Sequence, residues 1–244
     1  MQSRLLNAIL EIERLIYEEH VILKFQDDIN RYAKEIIDIT LDTQSPQRFA
    51  EAIREVFFMK HSFRARVNIA IDNSTAVGAI RNKGATCVGM ATIYLIFAER
   101  LQFKLFPVLF ENHVSVSFNS ENKKESFFIE TTHQGSVCTF KQITGCHGSI
   151  VQKLSLDEFL AIHLVSHSCL HYAINGMTDE AMILIDSALE VFPNYVNGWI
   201  NRAAIMKKLD NTEEMRRSLD MAKSLNPGLR YTKAIKQIEG EKHE

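Results

Sequence analysis

Residues 88–98 are apolar at every position except Gly89 and Thr92, and a chain carrying such a run has few ways to bury it. The run is too short to cross a bilayer. It therefore predicts a helix hidden on most sides and central to its domain. Immediately before it stands Arg81-Asn82-Lys83-Gly84-Ala85-Thr86-Cys87. A glycine-bearing turn thus delivers one cysteine onto the first turn of the buried helix. Unpaired backbone N–H groups and the positive end of the helix dipole lower a thiol's pKa at such a position, and they can also hold an oxyanion.

Beyond this helix the apolar period changes. Residues 104–110, 113–119 and 125–131 are short, rich in Val, Phe and Ile, and separated by polar turns. They predict an antiparallel meander. Alternation sets His113, Ser115 and Ser117 on one face and Val114, Val116 and Phe118 on the other. Glu130 closes the third segment. A Cys at a helix start, then a His and an acid on successive strands, is the chain order of one kind of Cys-His-acid triad. A buried cysteine is also an ordinary small hydrophobe, and the residues alone leave both meanings of Cys87 open. Cys138, Cys146 and Cys169 are read as core side chains.

The first sixty residues predict helices. Leu5, Ile9, Ile12 and Ile16 recur at helical spacing. A second helix is expected over about 28–40, burying Ile29, Tyr32, Ile36 and Ile37. A third starts at Ser45-Pro46, a capping residue followed by a proline suited to a first turn. Charge is nearly balanced, with 28 Lys+Arg against 30 Asp+Glu and no basic run, so nucleic acid is not an expected partner. Acidic residues at 11, 13, 18 and 19 exclude a secretory signal there. The four cysteines lack CxxC spacing. Together these features predict a cytoplasmic protein with no membrane segment, leaving export by a signal-independent route open.

From Ser155 the pattern is helical again and repeats. Residues 162–195 align with 196–229 without a gap at a period of 34, setting Ala188 to Pro193 on Ala222 to Pro227 and Thr178 on Thr212. A helix–turn–helix period of 34 with small residue and proline in register resembles the tetratricopeptide repeat. A capping helix is expected from Tyr231 to Ile238. Two domains are thus expected, 1–154 and 155–244. His163, His167 and His171 form a stripe four residues apart. No acid or cysteine in the sequence pattern completes it as a metal site, so it reads as a packing or polar face, and Cys146-His147 likewise falls short of a site.

Gly84-Ala85-Thr86-Cys87-Val88-Gly89-Met90-Ala91, then His113, then Phe128-Ile129-Glu130-Thr131-Thr132 resembles the transglutaminase-like superfamily. With the repeat tail, the chain is similar to bacterial SirB-type members of that group. The resemblance implies an α+β fold: a papain/transglutaminase-like core of helices packed on a small antiparallel sheet, followed by an all-α tetratricopeptide-like tail. It implies Cys87 as nucleophile toward an amide carbonyl, His113 as base and acid, and Glu130 as orienting acid. The backbone N–H of Cys87 and the side chain of Asn82 would be the oxyanion donors. It implies no cofactor and no metal. The repeats favour a protein or peptide partner. The alternative is a non-catalytic interaction module with a vestigial core.

Overall fold

A computed structural model of the chain describes residues 3–41, 43, 45–66, 71–111, 113–120, 125–228 and 232–239. It divides into two compact units, 1–159 and 160–244.

The first unit opens with α1 (Arg4–Glu13), α2 (Glu19–Thr40) and α3 (Pro46–Ile53), the last continuing as a π-helical stretch, Arg54–Lys60. Helix α1 stops before Ile16. Its last residue, Glu13, is fully buried, and its carboxylate accepts the Ala76 and Val77 N–H groups at 2.5 and 2.7 Å. Those donors begin a later helix, where a carboxylate is favoured by unpaired amides and the helix dipole. Helix α2 starts well before the expected Asp28, because Ile22 and Phe25 extend the buried stripe of Ile29, Tyr32 and Ile36. Ile37 is exposed rather than inward. Next come α4 (Ile71–Ser74), α5 (Ala76–Arg81) and α6 (Cys87–Arg100). Every residue of α6 from Val88 to Ala98 is buried, as its composition predicts.

Strands β1 (Phe106–Phe110), β2 (His113–Asn119) and β3 (Ser126–Glu130) follow as an antiparallel meander. Two further strands, β4 (Ser136–Thr139) and β5 (Ile150–Lys153), flank helix α7 (Phe140–His147). The sheet therefore has five strands in the order β4-β3-β2-β1-β5, every pair antiparallel. The additional strands are four residues each, too short for alternation to distinguish them from loop. Helix α6 packs on β1 and β2, and α7 on β3 and β4. In register, Phe110 faces His113, Val108 faces Ser115, and Ser117 faces Phe128. One sheet face thus carries His113, Ser115 and Ser117 together with Val108, Phe110 and Phe128. The apolar members of that face cluster with Ile143 of α7. This is an α+β architecture with a small antiparallel sheet.

The division between units falls within α8 (Leu156–Asn175), after which come α9 (Thr178–Val191), α10 (Val196–Lys208), α11 (Thr212–Leu225) and α12 (Thr232–Glu239). Helices α9 and α11 begin and end 34 residues apart, at 178 and 191 against 212 and 225. Ala203 and Ala222 are buried where α10 meets α11, with Ile200, Met215, Leu219 and Ile235 around them. Small side chains there let the helix axes approach. The Arg202 guanidinium ties α10 to both neighbours, donating to Asp186 at 2.8 Å, Glu214 at 3.0 Å and Ser218 at 2.8 Å. The final helix lies where the sequence predicts one, although Tyr231 is outside the described residues. Among the described residues no helix is long and apolar enough to cross a membrane.

Candidate active site

The glycine turn before α6 is held from both sides. Arg64 N–H donates to Lys83 O at 3.0 Å, and Arg66 N–H donates to Ala85 O at 2.9 Å. Gly84, at φ +156°, lies so close to this segment that an added Cβ would sit 2.0 Å from Arg64 O. Only glycine fits. At the helix cap, Thr86 N–H donates to Asn73 O at 2.5 Å. Gly89, one turn later, lets α6 close on the same stretch, since a Cβ there would meet Thr75 O at 3.1 Å and Asn73 O at 3.3 Å. The start of α6 is fixed by backbone contacts, and Cys87 is its first residue.

Cys87 is half-buried, and the imidazole of His113 is near enough to draw its thiol downward. The backbone amides of Val114 and Val88 act on the thiol in the same direction. The other side of the imidazole meets Glu130: His113 Nε2 lies 3.3 Å from Glu130 Oε1, with both side chains buried. Glu130 Oε1 also accepts the Thr132 N–H at 3.0 Å and the Thr132 hydroxyl at 2.5 Å. The sheet and α6 thereby bring together three of the residues singled out in the sequence. Asn82 caps the C-terminus of α5, half-buried, and its backbone carbonyl accepts Arg66 at 3.3 Å.

The electrostatics follow from this arrangement. Burial pushes the Cys87 thiol up, but the hydrogen bond and charge of His113 and the two backbone amides outweigh it, and the thiol falls below its ordinary value. Burial pushes His113 down, yet its bonds to Cys87 and Glu130 lift it to about 9. Glu130 is raised by burial and lowered more strongly by His113 and Thr132, reaching about 2. A thiol below its usual range beside an imidazole above it favours transfer of the proton from sulfur to nitrogen. The two groups titrate as a pair.

One residue of the cluster falls short of a site when read in the sequence beside Cys146 alone. His147, the last residue of α7, donates from Nε2 to Glu130 Oε2, and its ring stacks on His113 with centroids 3.8 Å apart and planes 9° apart. Its acid partner is 17 residues away and the stack exists only because α7 crosses β3, so no local spacing announces it.

His113, Glu130 and His147 offer ligand atoms within 4.8 Å of one another. The two rings are stacked nearly parallel, however, so their in-plane lone pairs do not converge on a shared ion as tetrahedral zinc requires. The arrangement is a carboxylate bridging two imidazoles. In the histidine stripe of α8, the His163 and His167 rings lie 4.5 Å apart, and His167 Nδ1 donates to His163 O at 2.9 Å. Burial lowers His163 to about 3, keeping it neutral. The His171 side chain lies outside the described residues. Of the remaining cysteines, Cys169 is half-buried rather than fully in the core, and burial raises it to about 12. Cys138, on β4, is half-buried against the Val108, Phe110, Phe128 and Ile143 cluster, and Cys146 is exposed because Ile143 is the inward side chain of α7.

Comparison with curated proteins returned no match. Among solved structures, the crystal structure of menin, described with its binding site for the Mixed Lineage Leukemia (MLL) protein, aligns with a TM-score of 0.49 and 11% identity, over 97% of this chain and 73% of that one. That likeness is too distant to inform fold or function. Residues 23–163 match the profile of the Transglutaminase-like superfamily. That span is more than half of the 244 residues and contains Cys87, His113, Glu130 and the five-stranded sheet, so the chain belongs to the transglutaminase-like superfamily.

Proposed function

We propose that the protein is a thiol enzyme acting on amide bonds, with Cys87 as nucleophile, His113 as base and acid, and Glu130 as the group that orients the imidazole. The observation that carries this proposal is the His113 imidazole set between the Cys87 thiol, which it draws down, and the Glu130 carboxylate, 3.3 Å from Nε2, with Cys87 at the start of a buried helix. The Cys87 thiolate attacks the carbonyl carbon of a carboxamide or peptide bond. The developing oxyanion is received by the backbone N–H of Cys87, with the Asn82 side chain as second donor. His113 gives its proton to the departing nitrogen, and ammonia or an amine leaves behind a thioester. Water or a second amine then attacks the thioester, His113 takes its proton, and the thiolate is regenerated.

The 34-residue helical period supports a tetratricopeptide-like tail of the SirB-type bacterial arrangement. Paired helices of that kind present an extended surface, which favours a protein or peptide substrate. A cytoplasmic setting suits a free nucleophilic thiol. The test is release of ammonia or amine from glutamine-containing and peptide-amide substrates, followed with the intact chain and with Cys87→Ser. Turnover that disappears in Cys87→Ser supports the proposal. A Cys87→Ser chain as active as the parent defeats it.

A further inference from the structure

We propose, resting on Cys87 as the nucleophile of a thiol enzyme, that Arg64, Arg66, Arg81 and Lys83 form a cationic docking surface beside it for an acidic peptide, a substrate whose reacting amide is flanked by aspartate or glutamate.

No basic run in the sequence announces these four residues, because the fold gathers them from two segments. Arg64 and Arg66 stand two apart on an extended segment and so share one side of it. That segment is laid along the turn before α6, with Arg64 N–H donating to Lys83 O at 3.0 Å and Arg66 N–H to Ala85 O at 2.9 Å. Arg81 ends α5 and Lys83 lies in the turn at φ 52°. Between them, the Asn82 carbonyl accepts the Arg66 guanidinium at 3.3 Å. All four side chains are exposed. Ala85, which holds Arg66, is two residues from Cys87, so the cations border the nucleophile.

Other arginines of the chain are paired: Arg4, Arg14, Arg31, Arg48, Arg202 and Arg217 each meet a carboxylate within 3.2 Å. Among the described residues no carboxylate pairs with Arg64, Arg66, Arg81 or Lys83. Four uncompensated cations thus stand together on a chain whose net charge is -2. Such a cluster draws anions from solution, and guanidinium forks suit carboxylates. The surroundings favour a peptide over a polynucleotide. Arg64, Phe58, Met59 and Phe63 line a cleft of about 540 Å³ together with the loop 132–134. Met59 is 67% exposed, which offers an apolar side chain of a bound peptide a surface to cover. Thr132 of that loop is the donor to Glu130, so the cleft touches both the cationic segment and the loop that holds the triad acid. The neighbouring thiol is also suited to amides rather than phosphodiesters.

The test is fluorescence anisotropy of a labelled peptide in which glutamates flank one glutamine, added to the full chain carrying Cys87→Ser so that nothing is turned over. The glutamate peptide should bind about tenfold more tightly than its lysine counterpart. Raising salt from about 50 to about 300 mM should weaken it severalfold as the Debye length shrinks. Arg81→Gln combined with Lys83→Asn removes two charges, asparagine being at ease at positive φ, and should weaken binding about tenfold. A second readout is the ratio of Cys87 labelling rates by iodoacetate and by iodoacetamide, with Cys87 in place. That ratio cancels the thiolate fraction, and it should fall about threefold in the double variant because the cations attract only iodoacetate. The inference is overturned if the two peptides bind alike, or if the double variant, folded by circular dichroism, keeps the parent affinity and ratio. It is equally overturned if a single-stranded oligonucleotide of the same charge binds more tightly than the glutamate peptide. If the glutamate peptide binds while Cys87 titrates as a free thiol, the enzyme falls and the surface stands as a peptide-binding site. If Cys87 is reactive at low pH while the two peptides bind alike, only the docking surface falls.

Discussion

Replacing Glu130 with Gln removes a charge from the site while keeping its shape. In the folded chain the carboxyl is drawn from an ordinary 4.5 to about 2, a difference of about 2.5 units, or about 3 kcal/mol net of its burial. His113 supplies the largest of the favourable contributions and Thr132 the rest. Seen from the other partner, His113 rises from 6.5 to about 9 with Cys87 and Glu130 as causes. The two shifts count the same contact twice and are not summed. Assigning about 2 kcal/mol to the carboxylate–imidazolium contact, its loss lowers the population of the thiolate–imidazolium pair about 30-fold. Iodoacetamide labelling of Cys87 at pH 6, measured by peptide mass, should fall by that factor in Glu130→Gln. At pH 10, where the thiol ionises unaided, the two rates should converge to within a few fold. Glu130→Asp, which keeps the charge on a shorter arm, should fall between. A Glu130→Gln chain that labels like the parent at pH 6 would refute the role given to the carboxylate.

Gly84→Ala should destabilise the fold by about 3 kcal/mol or more, because its Cβ would meet a backbone oxygen at 2.0 Å, whereas Gly145→Ala, with nothing within 4 Å in helix α7, should be neutral or stabilising by up to about 1 kcal/mol; urea midpoints compare the two. Acid stability carries the sign of Glu130: its folded pKa is lowered, so its contribution is full above about pH 4.5 and is lost as pH falls toward about 2. Urea unfolding at pH 5 and pH 3 should therefore show a steeper loss in the parent than in Glu130→Gln. His113, raised to about 9, contributes below pH 6.5 and loses its contribution up to about pH 9, while Cys87, lowered from 9.0, changes in the opposite sense, so the pair should leave that window flatter than either group alone. Cys169, pushed up to about 12 by burial, should stay unlabelled at pH 8 in the folded chain and label after denaturation, whereas exposed Cys146 should label in both states.

How much of this was legible depends on how far apart the interacting residues lie in the chain. Helix α6 could be read because a glycine turn and an eleven-residue apolar run are local signals. Strands β1 to β3 could be read because each is long enough to alternate and is joined to the next by a short turn. The encounter of Cys87 with His113 and Glu130 could be anticipated only as an order of residue types; the 3.3 Å contact needs the register of β2 on β3 and the seat of α6 on the sheet. Strands β4 and β5 escaped because four residues hold too few alternations, and β5 reaches β1 across forty residues of chain. The early start of α2 was obscured by Lys24, Asp27 and Asp28 interrupting its apolar stripe. His147 was hidden for the same physical reason as β5, since its partners meet it only after α7 has folded over the sheet.

The most direct test of the central claim is the alkylation rate of Cys87 from pH 5 to pH 9 in the native chain and in His113→Ala. The account predicts fast labelling at pH 6, well below the free thiol's pKa of about 8.5, and a return to free-thiol titration when the imidazole is removed. If Cys87 titrates as a free thiol in the native chain, or if His113→Ala leaves its low-pH reactivity intact, the thiolate–imidazolium pair does not exist and the proposed chemistry fails with it.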